Sequence, residues 1–224
     1  MVVNDQIGSS DYVATGKANE TLATGVHLAE TVVPACEAAS VFVLDPGKFF
    51  DAPAATDPMA QTADALQISL QEGPCLDALT EEDVVICADL EREDRWPAWA
   101  ARTARETPIR SALCLHLHAE GRRVGALNLF ATRPNAFTGT DLAAARAVAE
   151  HLAHAVSDRN AAEHANAGLA SRTVIGQAEG LLMERFDIDQ DRAFAVLKRI
   201  SQNTNRKLNQ VAADLVRTRE LPDY

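Results

Sequence analysis

Apolar side chains first recur at helical spacing from Thr21 onward, at Leu22, Val26, Ala29, Val32 and Val33, until Pro34 ends the run. Residues 1–18 mix polar, Gly and small side chains without periodicity and read as a flexible leader. Ala39 to Leu44 is short, apolar and rich in β-branched or aromatic residues, and Asp45-Pro46-Gly47-Lys48 then turns the chain into Phe49-Phe50, predicting a hairpin. Asp57-Pro58 offers an N-cap followed by proline at the first helical position, so a helix is expected up to Glu72-Gly73-Pro74. Cys75 to Leu79 is a short segment in a loop, Val84 to Ala88 a strand, and Trp96 to Glu106 a helix begun near Asp94.

Ala112 to Ala119 and Arg123 to Ala131, separated by Glu120-Gly121-Arg122, form the clearest hairpin pattern in the chain. The first of these strands carries Leu113, Leu115 and Leu117 on one face and Cys114, His116 and His118 on the other, so both faces should be at least partly covered. Thr138-Gly139-Thr140-Asp141 has capping-box spacing and opens a long helix. Along it Leu142, Ala145, Ala149, Leu152 and Val156 alternate spacings of three and four, a seam suited to another helix, including that of a second subunit. The seam lapses through Ser157 to Gly168, which places a domain junction there. Three amphipathic helices follow, marked by Val174, Ala178, Leu181 and Leu182, then by Ala193, Leu197 and Ile200 behind an Asp189 cap, then by Leu208, Val211, Ala212, Leu215 and Val216. They suffice for a small bundle, which would gain from dimerisation.

The expected organisation is thus a leader over 1–18, an α+β domain over 19–160 and a helical domain over 161–224. Composition agrees with a folded chain: hydrophobic residues are 47% and charged residues 24% of the 224, so neither global disorder nor a membrane protein is indicated. No apolar run spans a bilayer and no secretory leader pattern opens the chain, which points to the cytoplasm and to no membrane partner. The net charge of −11 argues against a nucleic-acid binder until it is divided. Residues 1–168 hold 12 Lys+Arg against 24 Asp+Glu, whereas residues 169–224 hold 9 against 8, so the acidic character belongs to the first part.

The stretch Leu169-Ala-Ser-Arg-Thr-Val-Ile-Gly-Gln-Ala-Glu-Gly-Leu-Leu-Met-Glu-Arg-Phe186, with Ala193-Phe194, Leu197 and Asn205-Arg-Lys-Leu-Asn-Gln-Val-Ala212 after it, resembles the ANTAR domain family in order along the last quarter of the chain. Residues 19 to about 160 look like a GAF domain, through Ala39-Ser40-Val41, Gln71-Glu72-Gly73-Pro74-Cys75-Leu76-Asp77, Asp94-Arg95-Trp96-Pro97 and Gly125-Ala126-Leu127-Asn128-Leu129. The resemblance implies an antiparallel sheet flanked by helices and able to enclose a small ligand, a long connecting helix, and a three-helix bundle. It further implies binding of tandem RNA hairpins near terminators by a homodimer, hence a signal-responsive regulator of transcription antitermination.

RNA recognition needs cations for phosphates and planar or amide groups for unpaired bases. The tail offers Arg172, Lys198, Arg199, Arg206 and Lys207 for the first and Gln177, Gln202 and Asn205 for the second. Glu179 stands where the family usually carries Lys, which implies a weakened phosphate contact. Phe194, beside Ala193 and Leu197, reads as core, with base stacking as the alternative, and Ala178 and Gly180 read as close-packing residues. In the α+β domain the ligand or redox candidates are Cys75, Cys114 and His116. Cys36, Cys87 and Cys114 read as buried side chains in a reducing compartment. The pairs His116/His118 and His151/His154 lack a matching third ligand in sequence, so neither a metal nor a cofactor is expected. With no nucleophile motif, phosphate loop or HExxH, the chain reads as a non-enzyme. Two other readings stand beside the antiterminator: a protein-interaction or DNA-binding regulator, and a GAF-based redox or ligand sensor whose tail does not bind RNA.

Overall fold

A computed structural model of the chain describes the backbone of residues 9–45, 48–80 and 83–221, and the side chains of residues 19–44, 52–79 and 83–221. It divides into two compact units, Met1–Ala162 and Glu163–Tyr224. The first opens with α1 (Ser9–Val32), which starts twelve residues before the periodic stretch, so part of the expected leader is helical; residues 1–8 lie outside the described residues. Strands β1 (Ala38–Asp45) and β2 (Lys48–Ala55) pair antiparallel as the hairpin pattern predicts, with Pro46 and Gly47 of its turn outside the described residues. Next come α2 (Pro58–Leu70), α3 (Pro74–Thr80), β3 (Val84–Cys87), α4 (Pro97–Glu106), β4 (Ser111–Ala119) and β5 (Arg122–Ala131). The strands form one antiparallel sheet in the order β2-β1-β5-β4-β3.

Local chemistry explains the element ends. Asp57 caps α2 by accepting from Met59 N–H at 2.7 Å, with Pro58 at the first position. The β4–β5 turn holds only two residues, Glu120 and Gly121, both at positive φ, as the right-handed twist of a tight hairpin demands. Gly125 sits where β5 passes β1: a Cβ built there would lie 2.1 Å from the Phe42 carbonyl oxygen, so the sheet closes only around a glycine.

Each sheet face is buried. On one face Leu113, Leu115, Leu117, Leu127 and Leu129 pack against Leu22, Val26, Ala29 and Val33 of α1 and against Ala145, Ala149, Leu152 and Val156 of α5 (Gly139–Phe186). The seam, suited to another helix of this chain or of a second subunit, is therefore filled by α1 and the sheet of its own chain. Leu152 lies so close to α1 that a Cβ on Gly25 would stand 2.4 Å from its Cδ2. The capping box forms as expected, with Thr138 N–H and hydroxyl donating to Asp141 Oδ2, while Asp141 Oδ1 accepts from Ala35 N–H and ties α5 to the end of α1. On the other face Phe42, Ala126 and Phe130 pack against α2, α3 and α4 through Ala60, Ala63, Cys75, Ala78, Trp99 and Ala100.

α5 does not break where its seam lapses, because Asn160-Ala-Ala-Glu-His-Ala-Asn-Ala167 lacks an apolar face yet keeps alanine's helix propensity. In the second unit the C-terminal part of α5 packs with α6 (Gln190–Thr204) and α7 (Leu208–Thr218) around Ala178, Leu182, Ala193, Leu197, Ile200, Val211, Ala212 and Leu215. Asp189 caps α6 through Arg192 N–H at 2.8 Å. The chain is thus α+β, with an antiparallel sheet flanked by helices, a long helix and a three-helix bundle.

Candidate functional site

The covered face of the sheet opposite α1 holds a polar cluster inside an apolar core. Asn128 of β5 faces Ser40 of β1 and Cys114 of β4 in register, so one row across the three central strands carries three polar or thiol side chains. α2 lowers Asp64 and Gln67 onto this row, and α3 adds Cys75. Asn128 Nδ2 donates to Asp64 Oδ1 at 3.1 Å and lies 3.4 Å from Ser40 Oγ, while Gln67 Oε1 accepts from Cys75 N–H at 2.8 Å. Asp64 is only 2% exposed. Burial pushes its carboxyl up from 3.8 to about 7, with Ser40, Asn128 and Gln67 offsetting part of the effect. Among the described residues, Asp64 Oδ2, Gln67 Nε2 and Asn128 Oδ1 make no hydrogen bond of good geometry. Three orphaned groups in one buried cluster, offering both donors and acceptors, suit a small polar molecule.

Of the residues that the sequence marks as family-like, Ser40, Cys75 and Asn128 belong to this cluster, and Glu72, Gly73, Asp77 and Trp96 frame it. Glu72 Oε1 accepts from the N–H groups of Ala98 and Trp99 at 2.6 and 3.0 Å, capping α4. Trp96 Nε1 donates to Asp77 Oδ2 at 2.9 Å, and Trp99 Nε1 to the Ala63 carbonyl at 3.0 Å, fixing α3 and α2 against α4. Gly73 has φ of +142°, and a Cβ there would strike the Gln67 side chain, so it shapes the Gln67 approach.

Cys75 and Cys114 both belong to this cluster. Cys75 lies on α3, not in a loop, and both thiols are fully buried, which raises them well above their usual range. A protonated, enclosed thiol is a poor redox nucleophile, so geometry opposes the redox reading of these residues. All four cysteines are free and buried. His116 does not join them: its ring lies against Asp83 and His118 in a cleft whose lining includes Arg146, Ala149 and Glu150 of α5. Burial, with His118 and Arg123 nearby, pushes this imidazole down to about 4.

In the second unit all eight residues singled out for RNA are exposed. Lys198, Gln202 and Asn205 follow one another at spacings of four and three along α6 and its C-cap, where Asn205 adopts the left-handed conformation. Arg199 lies one position round from Lys198, and Arg206 and Lys207 complete the α6–α7 corner. Arg206 is ion-paired with Asp214, which Arg217 also contacts. Arg172 and Gln177 stand five positions apart on α5, which turns them about 140° from each other, so these two do not share a face.

Three expectations change. Phe194 is 40% exposed and is not core. Gly180 has open space where a Cβ would be, so it serves no packing within the described residues, although Ala178 is buried as expected. Glu179 is only 8% exposed and accepts from Gln190 Nε2 at 3.0 Å, so its carboxylate joins α5 to the start of α6 instead of facing solvent. The sequence reading also missed a second seam on α5, Leu169, Thr173, Gly176, Gly180 and Met183, at alternating spacings of four and three and exposed throughout.

A GAF domain model matches residues 18–157 and an ANTAR domain model residues 163–216. No curated protein matches the chain. Among solved structures, the GAF domain region of a protein from Geobacter sulfurreducens PCA aligns at TM-score 0.55 and 17% identity, over 66% of this chain and 99% of that one. A domain of a protein described as a two-component sensor histidine kinase from Sinorhizobium meliloti 1021 aligns at TM-score 0.53 and 17% identity, over 66% and 95%. At these identities the likeness is one of fold. Both matched domains are regulatory in kind, and among the described residues no helix is long and apolar enough to cross a membrane. With the two domain models matched in this order along one continuous chain, the protein belongs to the GAF domain family and is a GAF–ANTAR regulator.

Proposed function

We propose that the chain is a cytoplasmic, non-enzymatic regulator that binds tandem RNA hairpins near terminators and so allows transcription to continue, under control of a small polar ligand held by its GAF domain. The observation that carries the RNA reading is the ANTAR match over residues 163–216 together with the exposure of Lys198, Arg199, Gln202, Asn205, Arg206 and Lys207 around α6 and its corner with α7. Lys198, Arg199 and Lys207 supply the phosphate contacts, with Arg206 moderated by Asp214; Gln202 and Asn205 supply amides, and exposed Phe194 a stacking surface. Arg172 and Gln177 belong to the proposed interface through α5, from different sides. The ligand site is the Ser40, Asp64, Gln67 and Asn128 cluster, whose orphaned groups support it. The homodimer of this proposal is supported by the exposed seam of α5, with Leu169 61% and Met183 37% exposed.

Fluorescence anisotropy of the full chain with a tandem-hairpin RNA and with duplex DNA of equal length tests this reading. Binding to the RNA alone is expected, weakening as salt rises. Lys198→Ala and Lys207→Ala should each reduce the slope of log affinity against log salt by about 1. Equal affinity for the duplex would favour the DNA-binding reading, and absence of RNA binding at low salt would leave a ligand sensor.

A further inference from the structure

We infer that Asp83, His116 and His118 form a binding site for one divalent transition-metal ion with the nitrogen and oxygen preference of zinc. One ligand atom from each of the three lies within 4.8 Å of the others. The fold makes this arrangement. β3 begins at Val84, opposite Leu115, so β4 beyond that point has no further partner from β3, and His116 N–H bonds the Asp83 carbonyl at 3.0 Å, holding Asp83 alongside. His116 and His118 are two apart on β4, and a register shift after Leu117 turns the strand there, leaving the rings tilted by 54° with centroids 4.1 Å apart.

The observation that points to an ion is His116 itself. Its side chain has no exposed surface, yet among the described residues neither ring nitrogen makes a hydrogen bond within normal distance. A buried imidazole normally satisfies at least one of them. Nδ1 stands 3.6 Å from Asp83 Oδ1, too far for a hydrogen bond. Two ligands at about 2.1 Å from one tetrahedral ion are about 3.4 Å apart, close to this separation.

The surroundings fix the class of ion. Two imidazoles and one carboxylate favour zinc-like ions over magnesium or calcium, which prefer all-oxygen shells. A cleft of about 190 Å³ in front of the rings leaves room for water to complete the coordination, and Glu150 on its α5 wall offers a second carboxylate. The nearest competitor is Arg123, whose Nη2 is 3.8 Å from Asp83 Oδ1 while its Nη1 is already engaged by the Leu79 carbonyl. At that distance it is a weak ion pair, which a doubly charged ion in direct contact displaces.

The test uses the full chain with any affinity tag removed. Zinc is titrated in competition with a chromophoric chelator, and cobalt(II) serves as the spectroscopic probe. One equivalent per chain is expected, with visible d–d bands and without the near-ultraviolet thiolate band that the buried cysteines would give. His118→Ala and Asp83→Asn change exposed side chains, so tryptophan fluorescence should report an unaltered fold. Each should lower zinc affinity by about a hundredfold, since loss of an outer-shell partner alone reaches that size. Absence of binding, a thiolate band, or unchanged affinity in either variant overturns the assignment.

Discussion

Replacing Asp64 by Asn removes a carboxyl that the fold keeps protonated, and the effect on stability should be strongly dependent on pH. In the folded chain burial raises this group to about 7, against the ordinary 3.8 that it recovers on unfolding. Between those two values the folded chain holds a proton that the unfolded chain releases. The stabilising contribution is therefore complete below pH 3.8, falls as pH rises, and is gone above about 7. At about 1.4 kcal/mol per pH unit the whole window is worth about 4 kcal/mol. Because Asp64 is 2% exposed, solvent screening removes little of it. Asn is nearly isosteric, keeps an oxygen to accept from Asn128, and has no proton to lose in this range.

Urea denaturation at pH 5 and pH 8, followed by tryptophan fluorescence, measures the effect in the right place. Both tryptophans, Trp96 and Trp99, lie in the first unit, and Trp99 is bonded to the Ala63 carbonyl beside Asp64. Relative to Asp64→Asn, the native chain should lose about 2.5 kcal/mol of stability between pH 5 and pH 8. Other titrating groups cancel in the difference. A difference between the two proteins that stays constant within about 0.5 kcal/mol across that range would refute the buried, protonated Asp64.

Gly125→Ala should destabilise the GAF domain by about 2 kcal/mol or more, because its Cβ would meet the Phe42 carbonyl at 2.1 Å and neither backbone can yield without opening the sheet; the same fluorescence-detected unfolding measures it. Gly180→Ala should act in the opposite sense on the isolated chain, stabilising its C-terminal helices by about 1 kcal/mol since the added methyl meets nothing, while weakening the dimer in sedimentation if two α5 seams approach there. Glu179→Lys should lower the stability of the bundle through loss of the bond from Gln190, seen by circular dichroism, rather than raise RNA affinity.

Periodicity made most of the elements legible because their ends are set by local chemistry: the Asp57 and Asp189 caps, the Glu120-Gly121 turn and the Thr138 to Asp141 box all form. What it failed to show depends on partners distant in sequence. Asp64, Gln67 and Asn128 are ordinary polar residues in the chain, and only the packing of α2 onto β5 turns them into a buried cluster. An Asp and a Gln three apart on a helix that is otherwise apolar on that side were the available signal. His116 and His118 were visible as a pair, but Asp83 is more than thirty positions away, and strand pairing alone brings it to them. Glu179 read as a surface charge because nothing in its neighbourhood announces the Gln190 amide that engages it.

α5 shows the same limit most clearly, since it carries one pattern twice. Leu142 to Val156 and Leu169 to Met183 both repeat at spacings of three and four, and a sequence reading has no means of telling what each meets. The first is covered by the sheet and α1 of its own domain; the second is exposed along its length. Glycines at 176 and 180 each cost a helix about 1 kcal/mol relative to alanine. Among the described residues nothing lies within 4 Å of a Cβ at either. Packing recovers that cost only where another backbone comes close, which places the physical support for a chain-to-chain contact on the seam that carries the glycines and removes it from the larger apolar one.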